Sequence, residues 1–348
     1  MNPIPKAFVI LLCFLVLTIS SKPISYAGEA QELLTQAYSA YQHNQWASAQ
    51  APLEQAIQLY PQYAEAHHLL GLVLTQLNQP KAAIAAFHKA VKAYPSFVQA
   101  YVDLGFLLQE QEQLKEAEQA FRHASTLYPN YLESWTALAG LFDRQQDAAK
   151  AIEAHQKVLA LDPHHADSLY GLAFWFVQQG HPDKAQPYVD QLTAHHPQHV
   201  NGWLMTGSLA QQTGEADKAI KAYQHVVKLQ RQLVDPYFNL GILYQQQEEY
   251  SKAAEAFEQV LRLDPKNPEA HINLGVIYTN LSQLKQAEEQ YQAALALDSS
   301  LSEAHYNLGL LYEFHHNTPK KALEYYKEYV KLGGRDERIT KLLTRIGS

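Results

Sequence analysis

The stretch AEAHHLLGLVLTQLNQPKAAIAAFHKAVKAYP, residues 64–95, decides the fold. In both of its halves apolar residues recur three and four apart, the pattern of an amphipathic helix. Pro95 ends the second half, because the residue before a proline avoids the helical region. The stretch therefore reads as two helices and a short turn, and it repeats. Residues 30, 64, 98, 132, 166, 200, 234, 268 and 302 each open a unit, with position 1 assigned to them. Position 8 is then glycine or alanine nine times in succession: Ala37, Gly71, Gly105, Ala139, Ala173, Gly207, Gly241, Gly275, Gly309. Position 20 is alanine from Ala49 to Ala287, again every 34 residues. Proline returns at position 32 as Pro61, Pro95, Pro129, Pro163, Pro197 and Pro265.

A period of this length marks a repeat array, in which each unit buries its apolar face only against its neighbours. Helix A is predicted over positions 2 to 14 and helix B over 18 to 31. The two small-residue series predict a close helix A–helix B contact, with position 8 facing the alanine at position 20. Large residues at positions 4, 7, 11 and 24 fill the remaining space.

Leu70-Gly71, Ala83, Phe87, Ala90 and Pro95 resemble the tetratricopeptide repeat. So do Tyr101, Leu104-Gly105, Ala117, Phe121, Ala124 and Pro129, and Tyr237, Leu240-Gly241, Tyr244, Ala253, Phe257 and Pro265. The resemblance spans nine tandem repeats over residues 30–334. It implies an all-α fold, a right-handed α-solenoid of antiparallel helix pairs, with helix A lining a concave face and helix B a convex one. After Gly333-Gly334, residues 335–348 carry an apolar stripe of Ile339, Leu342, Leu343 and Ile346, which reads as a C-terminal capping helix.

Three irregularities carry expectations of their own. Pro52 lies inside the first helix B and is expected to bend it. Arg231 stands where the sixth repeat should have proline, and Pro236 opens the next helix instead, so a change of stacking is expected there. The ninth repeat has one extra residue, expected in its A–B turn around His315 to Pro319.

The first 27 residues lie outside the array. Lys6 precedes a 13-residue apolar run, Ala7 to Ile19, and Ser25-Tyr26-Ala27 follows. This reads as a secretory signal peptide cut after Ala27, and so as a periplasmic or secreted protein. The alternative is an uncleaved membrane anchor, although the run is short for a bilayer. The single cysteine, Cys13, sits inside that run, so the mature chain would have no thiol for a disulfide, a metal or a nucleophile. The chain's net charge is −8, and it has no basic stripe, which argues against a nucleic-acid partner.

The period leaves positions 2, 5, 6, 9, 12 and 13 of helix A free to carry function. Position 6 is asparagine in the last three repeats, Asn239, Asn273 and Asn307. A side-chain amide both donates and accepts, so such a ladder can hold a peptide backbone of any sequence. Aromatic residues at positions 5 and 9, among them Tyr170, Phe238 and Tyr306, either anchor a partner's side chains or pack between helices. Acidic residues at position 2, including Asp235, Glu269 and Glu303, either form an acidic rim or complement the helix dipole. Histidine pairs occur at His164-His165, His195-His196 and His315-His316, but neither cysteine nor an ordered carboxylate stands near them in sequence. No catalytic motif, cofactor site or metal site is read from the chain. The expected function is that of an exported, non-catalytic scaffold. Its concave groove would hold an extended or helical segment of an envelope protein. The alternative is a docking or regulatory subunit of an envelope enzyme, such as a polysaccharide synthesis or secretion machine.

Overall fold

The computed structural model describes residues 23–316 and 318–347. The apolar run from Ala7 to Ile19 lies outside the described residues. The expected cut after Ala27 falls in the first turns of helix α1. The chain divides into two compact units, residues 1–163 and 164–348.

In the first unit, four hairpins follow one another. They are α1 (Pro23–Gln42) with α2 (Trp46–Leu59), α3 (Ala64–Gln76) with α4 (Pro80–Ala93), α5 (Val98–Glu110) with α6 (Leu114–Leu127), and α7 (Leu132–Gln145) with α8 (Ala148–Leu161). The odd-numbered helices are the A helices. They lie side by side, since α1 touches α3, α3 touches α5 and α5 touches α7.

The second unit continues the pattern with five hairpins and a final helix. The hairpins begin with α9 (Ala166–Gln178) and α10 (Pro182–His195), then α11 (Val200–Gln212) and α12 (Ala216–Leu229). Next come α13 (Val234–Gln246) with α14 (Tyr250–Leu263), and α15 (Pro268–Asn280) with α16 (Leu284–Leu297). The last hairpin is α17 (Ser302–Leu310), a π-helical turn (Leu311–His315) and α18 (Pro319–Lys331), followed by α19 (Glu337–Gly347). Among the described residues there is no strand, and no helix is long and apolar enough to cross a membrane.

The small residue at position 8 makes room above all for the ring at position 24. A Cβ added at Gly71 would lie 2.6 Å from Phe87, and one at Gly105 would lie 2.4 Å from Phe121. Gly207, Gly241, Gly275 and Gly309 stand in the same relation to Tyr223, Phe257, Tyr291 and Tyr326. Where position 8 is alanine, position 24 is not Phe or Tyr: Ala37 goes with Leu53, Ala139 with His155, Ala173 with Val189. Six hairpins pair glycine with a phenyl or phenol ring, and two, at Ala37 and Ala173, pair alanine with a smaller aliphatic side chain, as close packing favours. The position-20 alanines from Ala49 to Ala287 are buried as well, where each lets helix B approach helix A.

The A–B turns share a second device. Position 15 is left-handed in eight hairpins, at Asn44, Asn78, Glu112, Gln146, Gly180, Gly214, Glu248 and Ser282. The next residue's N–H reaches back five residues, as in Gln79 N to Leu74 O at 2.9 Å and Glu249 N to Tyr244 O at 2.8 Å. This is the Schellman closure that satisfies the last carbonyls of a helix. The ninth hairpin differs at the end of its helix A. Its extra residue does not lengthen the turn; it is absorbed in helix A as the π turn Leu311–His315, where His316 N bonds Leu311 O at 3.1 Å.

Pro52 is buried within α2, and the helix runs on through it. Pro187 sits similarly inside α10. At the C-terminal end, Ile339 of α19 is fully buried, and Leu342 and Leu343 pack against the same core. Arg338 adds a polar clamp: its guanidinium donates twice to Glu313 at 2.9 Å and once to the Tyr326 hydroxyl at 3.3 Å.

Candidate functional site

Five hairpins are tied to the preceding turn by a ring N–H at position 4. Trp135 Nε1 donates to Pro129 O at 2.8 Å, and Trp203 Nε1 to Pro197 O at 2.9 Å. His67 bonds Pro61 O at 3.0 Å, His271 bonds Pro265 O at 3.3 Å and His305 bonds Ser299 O at 3.0 Å. Burial pushes the His67 imidazole below its usual pKa, with the Pro61 bond acting in the opposite sense. These links fix where each helix A begins, and so fix the side chains that line the helix-A face.

On the first unit that face carries an internally bonded polar network. His68 Nε2 meets Asp103 Oδ2 at 2.7 Å, and Gln99 donates to the other carboxylate oxygen at 3.3 Å. The Tyr131 hydroxyl bonds both Gln99 and Glu133. Burial, then the Glu133 hydrogen bond, pushes the Tyr131 phenol well above its usual range. This network joins α3, α5 and α7, and no repeat position marks it, because only Gln99 and Glu133 share a position while His68, Asp103 and Tyr131 do not.

The second unit carries the predicted asparagines. Asn239 is half-buried on α13, and Asn307 is half-buried on α17. Neither makes a side-chain hydrogen bond among the described residues. Asn273 spends one amide proton on its own helix, donating to Glu269 O at 2.9 Å. The carboxylates of Asp235, Glu269 and Glu303 are exposed in the first turns of α13, α15 and α17, and none is paired with a cation among the described residues.

Two pockets open on this face. One, of about 300 Å³, is lined by Val234, Asp235, Phe238, Asn239, Asn267 and Glu269. The other, of about 400 Å³, lies beside the π turn; its walls include Val276, Leu310, Leu311 and Phe314, with Asn280 and Asn307 among its polar groups. The structure therefore brings Asp235, Phe238, Asn239 and Glu269 together and places Asn307 in the second pocket.

The aromatic residues differ in their surroundings. Phe238 is half-buried and meets Phe257 edge-on, with ring centroids 5.5 Å apart. Tyr170 lies beside Phe174 at 6.4 Å and His199 at 5.6 Å. Tyr306 packs on Tyr329 of α18 at 5.1 Å and lies next to Asp336, so the chain leading into α19 shares its surface.

The histidines have structural duties. Nδ1 of His165 accepts from Ser168 N at 3.3 Å, and Nδ1 of His199 accepts from Gly202 N at 3.0 Å, as helix caps. The His164 and His195 rings are in contact, tilted by 31° with centroids 3.6 Å apart. Among the described residues no group of three or more His, Cys, Asp or Glu is arranged to hold a metal ion.

Comparison with known families bears directly on this repeating hairpin. Models described as tetratricopeptide repeat match residues 74–141, 144–209, 34–96 and 280–337. A third, the cytochrome c-type biogenesis protein H TPR domain, matches residues 189–303. The chain is a tetratricopeptide-repeat protein. Solved members of the fold resemble this array closely in architecture and weakly in sequence. The C-terminal part of a TPR repeat-containing protein from Cytophaga hutchinsonii superposes with a TM-score of 0.61 at 16% identity, covering 69% of this chain and 99% of that one. PilF of Pseudomonas aeruginosa gives 0.51 at 22% identity, covering 65% and 99%. No curated protein matches the sequence. As a tetratricopeptide array, the chain has the fold of a protein-interaction scaffold.

Proposed function

We propose that the helix-A face of the second unit holds an extended or helical segment of a partner protein, and that the chain serves as an exported, non-catalytic assembly factor of the cell envelope. The observation that carries the reading is the contrast between the two faces. In the first unit the polar groups bond one another. In the second, Asn239 and Asn307 leave amide donors and acceptors free beside two partly apolar pockets. A free amide at the edge of an apolar pocket suits a peptide, whose backbone needs both donors and acceptors while its side chains seek burial.

Two features support export and an assembly role. The run from Ala7 to Ile19 has the make-up of a signal sequence. The matched domain description, cytochrome c-type biogenesis, refers to the assembly of another protein.

The reading is tested by photo-crosslinking in cells that express the tagged full chain. A crosslinking side chain replaces Asn239, Asn307 or, as a control on helix B, Lys252. Partner adducts from the first two positions and none from the third are expected. Adducts from the control position alone would refute the assignment of the face. N-terminal sequencing of the recovered protein tests the export reading, with Gly28 as the expected first residue.

A further inference from the structure

In the hairpins of the second unit the helical lysines and arginines are confined to the B helices, whereas acidic residues occur on both. Its A helices, α9, α11, α13, α15 and α17, contain no lysine or arginine, and neither does the π turn. Its B helices, α10, α12, α14, α16 and α18, contain eleven. The division is not required for packing, since charged side chains are tolerated on any solvated helix surface. Asp235 and Glu269 both line one pocket, together with Val234, Phe238, Asn239 and Asn267. The other pocket is walled by Val276, Leu310, Leu311 and Phe314, and no lysine or arginine lines either one.

Helix α15 belongs to both pockets. Its first turn supplies Glu269 to the acidic one, and its last turns supply Val276, Thr279 and Asn280 to the apolar one. At 1.5 Å per residue, these ends are roughly 10–16 Å apart. Asn273 lies between them, with its amide nitrogen bonded to Glu269 O and its amide oxygen left for an outside donor. An extended chain advances about 3.3 Å per residue. A side chain in each pocket would therefore be separated by about three to five residues.

We infer that the partner segment is a basic, extended peptide with two recognition points: a lysine or arginine for the Asp235–Glu269 pocket and a bulky apolar residue for the pocket at the π turn. The inference rests on the reading of this face as a peptide-binding surface and adds the chemistry of the peptide. The acidic mouth selects the cation and speeds encounter. The apolar pocket supplies the buried anchor. The extra residue of the ninth repeat has a use in this arrangement. The π turn places Phe314 and His315 at the wall of the pocket, and π turns inserted in α-helices often mark functional sites.

The test uses the full chain and fluorescein-labelled 14-residue peptides of Gly, Ser and Thr. One series carries one Lys and one Phe at every spacing from one to eight, in both orders. Parallel series replace Lys with Glu or Gln, or Phe with Ser. Binding is read by fluorescence polarisation at 50 and 300 mM salt. Lys–Phe peptides spaced three to five apart are expected to bind best, to lose about tenfold when Lys becomes Gln, and to weaken at high salt. The charge-neutral double variant D235N/E269Q should remove the preference for Lys over Gln while leaving the Gln peptides unchanged. Phe314→Ser should weaken peptides with Phe and leave the Phe-less ones unchanged. If Glu or Gln peptides bind as tightly as Lys peptides, and Asn239→Ala with Asn307→Ala weakens all of them, the groove stands and the basic motif is refuted. If no peptide of any series binds, both the motif and the peptide-binding reading fall.

Discussion

The volume trade between positions 8 and 24 can be tested at Gly241 and Phe257. A Cβ built on Gly241 would lie 2.7 Å from Phe257 Cζ, 2.8 Å from Cε2 and 2.9 Å from Cε1. Carbon atoms rest about 3.5–4.0 Å apart, so the ring would have to retreat by roughly 1 Å. Phe257 is fully buried, so its ring can retreat only by displacing neighbouring core side chains. Overpacking of this kind costs about 1–3 kcal/mol. Against it stands a gain of about 0.5–1 kcal/mol from replacing a mid-helix glycine by alanine. Gly241→Ala should therefore destabilise, against the helix-propensity rule. Phe257→Leu should also destabilise, by leaving a cavity. The double variant recreates the pair that Ala37 and Leu53 form in the first hairpin. It should be more stable than the sum of the singles by about 1 kcal/mol or more, within the range known for residues in contact. The assay is urea unfolding of the full chain, with hydrogen exchange of α13 and α14 amides as the local readout, because a repeat array need not unfold in one step. Additive effects, or a Gly241→Ala chain more stable than the wild type, would refute the packing account.

Three further perturbations have defined outcomes. Glu248 holds a left-handed turn at φ 58°; Glu248→Gly should stabilise by up to about 1 kcal/mol, since a side chain in that region costs about 1–2 kcal/mol and glycine's added flexibility returns part of it. Truncation after Gly334 removes Ile339 and Arg338 and uncovers the ninth hairpin; size-exclusion chromatography should show aggregation, and a monomeric truncated chain of unchanged melting temperature would overturn the capping role. His67 is held below its usual pKa of 6.5 by burial; below that pH the unfolded chain takes up a proton that the folded chain resists, so this group costs stability as pH falls through 6.5, with a slope of at most about 1.4 kcal/mol per pH unit. In His67→Trp, which keeps a ring N–H for Pro61, that part of the slope should vanish in melts between pH 5 and 7.5.

The array itself was legible because sterics write it plainly: a residue too small to obstruct a neighbouring helix must recur at each crossing. What it faces is harder to read. Gly241 and Ala253 share a period, yet the glycine meets Phe257, and only the relative rotation of two helices decides between them. The left-handed turn position escaped notice because just two of its eight occupants, Gly180 and Gly214, are glycine. The extra residue of the ninth repeat was counted correctly but placed in the turn instead of helix A, since a turn and a π bulge absorb it equally well in sequence. Site positions followed from helical periodicity, but their availability did not. Asn273 turns one amide proton back on its own helix, and Tyr306 is shared with Tyr329, through rotamers and neighbours that no spacing reveals.

The glycine–ring pairs lie within single hairpins, whereas the position-4 bonds of five hairpins reach back across a junction to the preceding turn. Copying or deleting one 34-residue unit therefore carries every volume match along intact. The position-4 bond can re-form across the new junction, because its acceptor is a main-chain carbonyl, which any neighbour can offer. The length of such an array is free to drift by whole units while its cross-section stays fixed. A groove of this kind can be lengthened to suit a longer ligand without redesigning its walls.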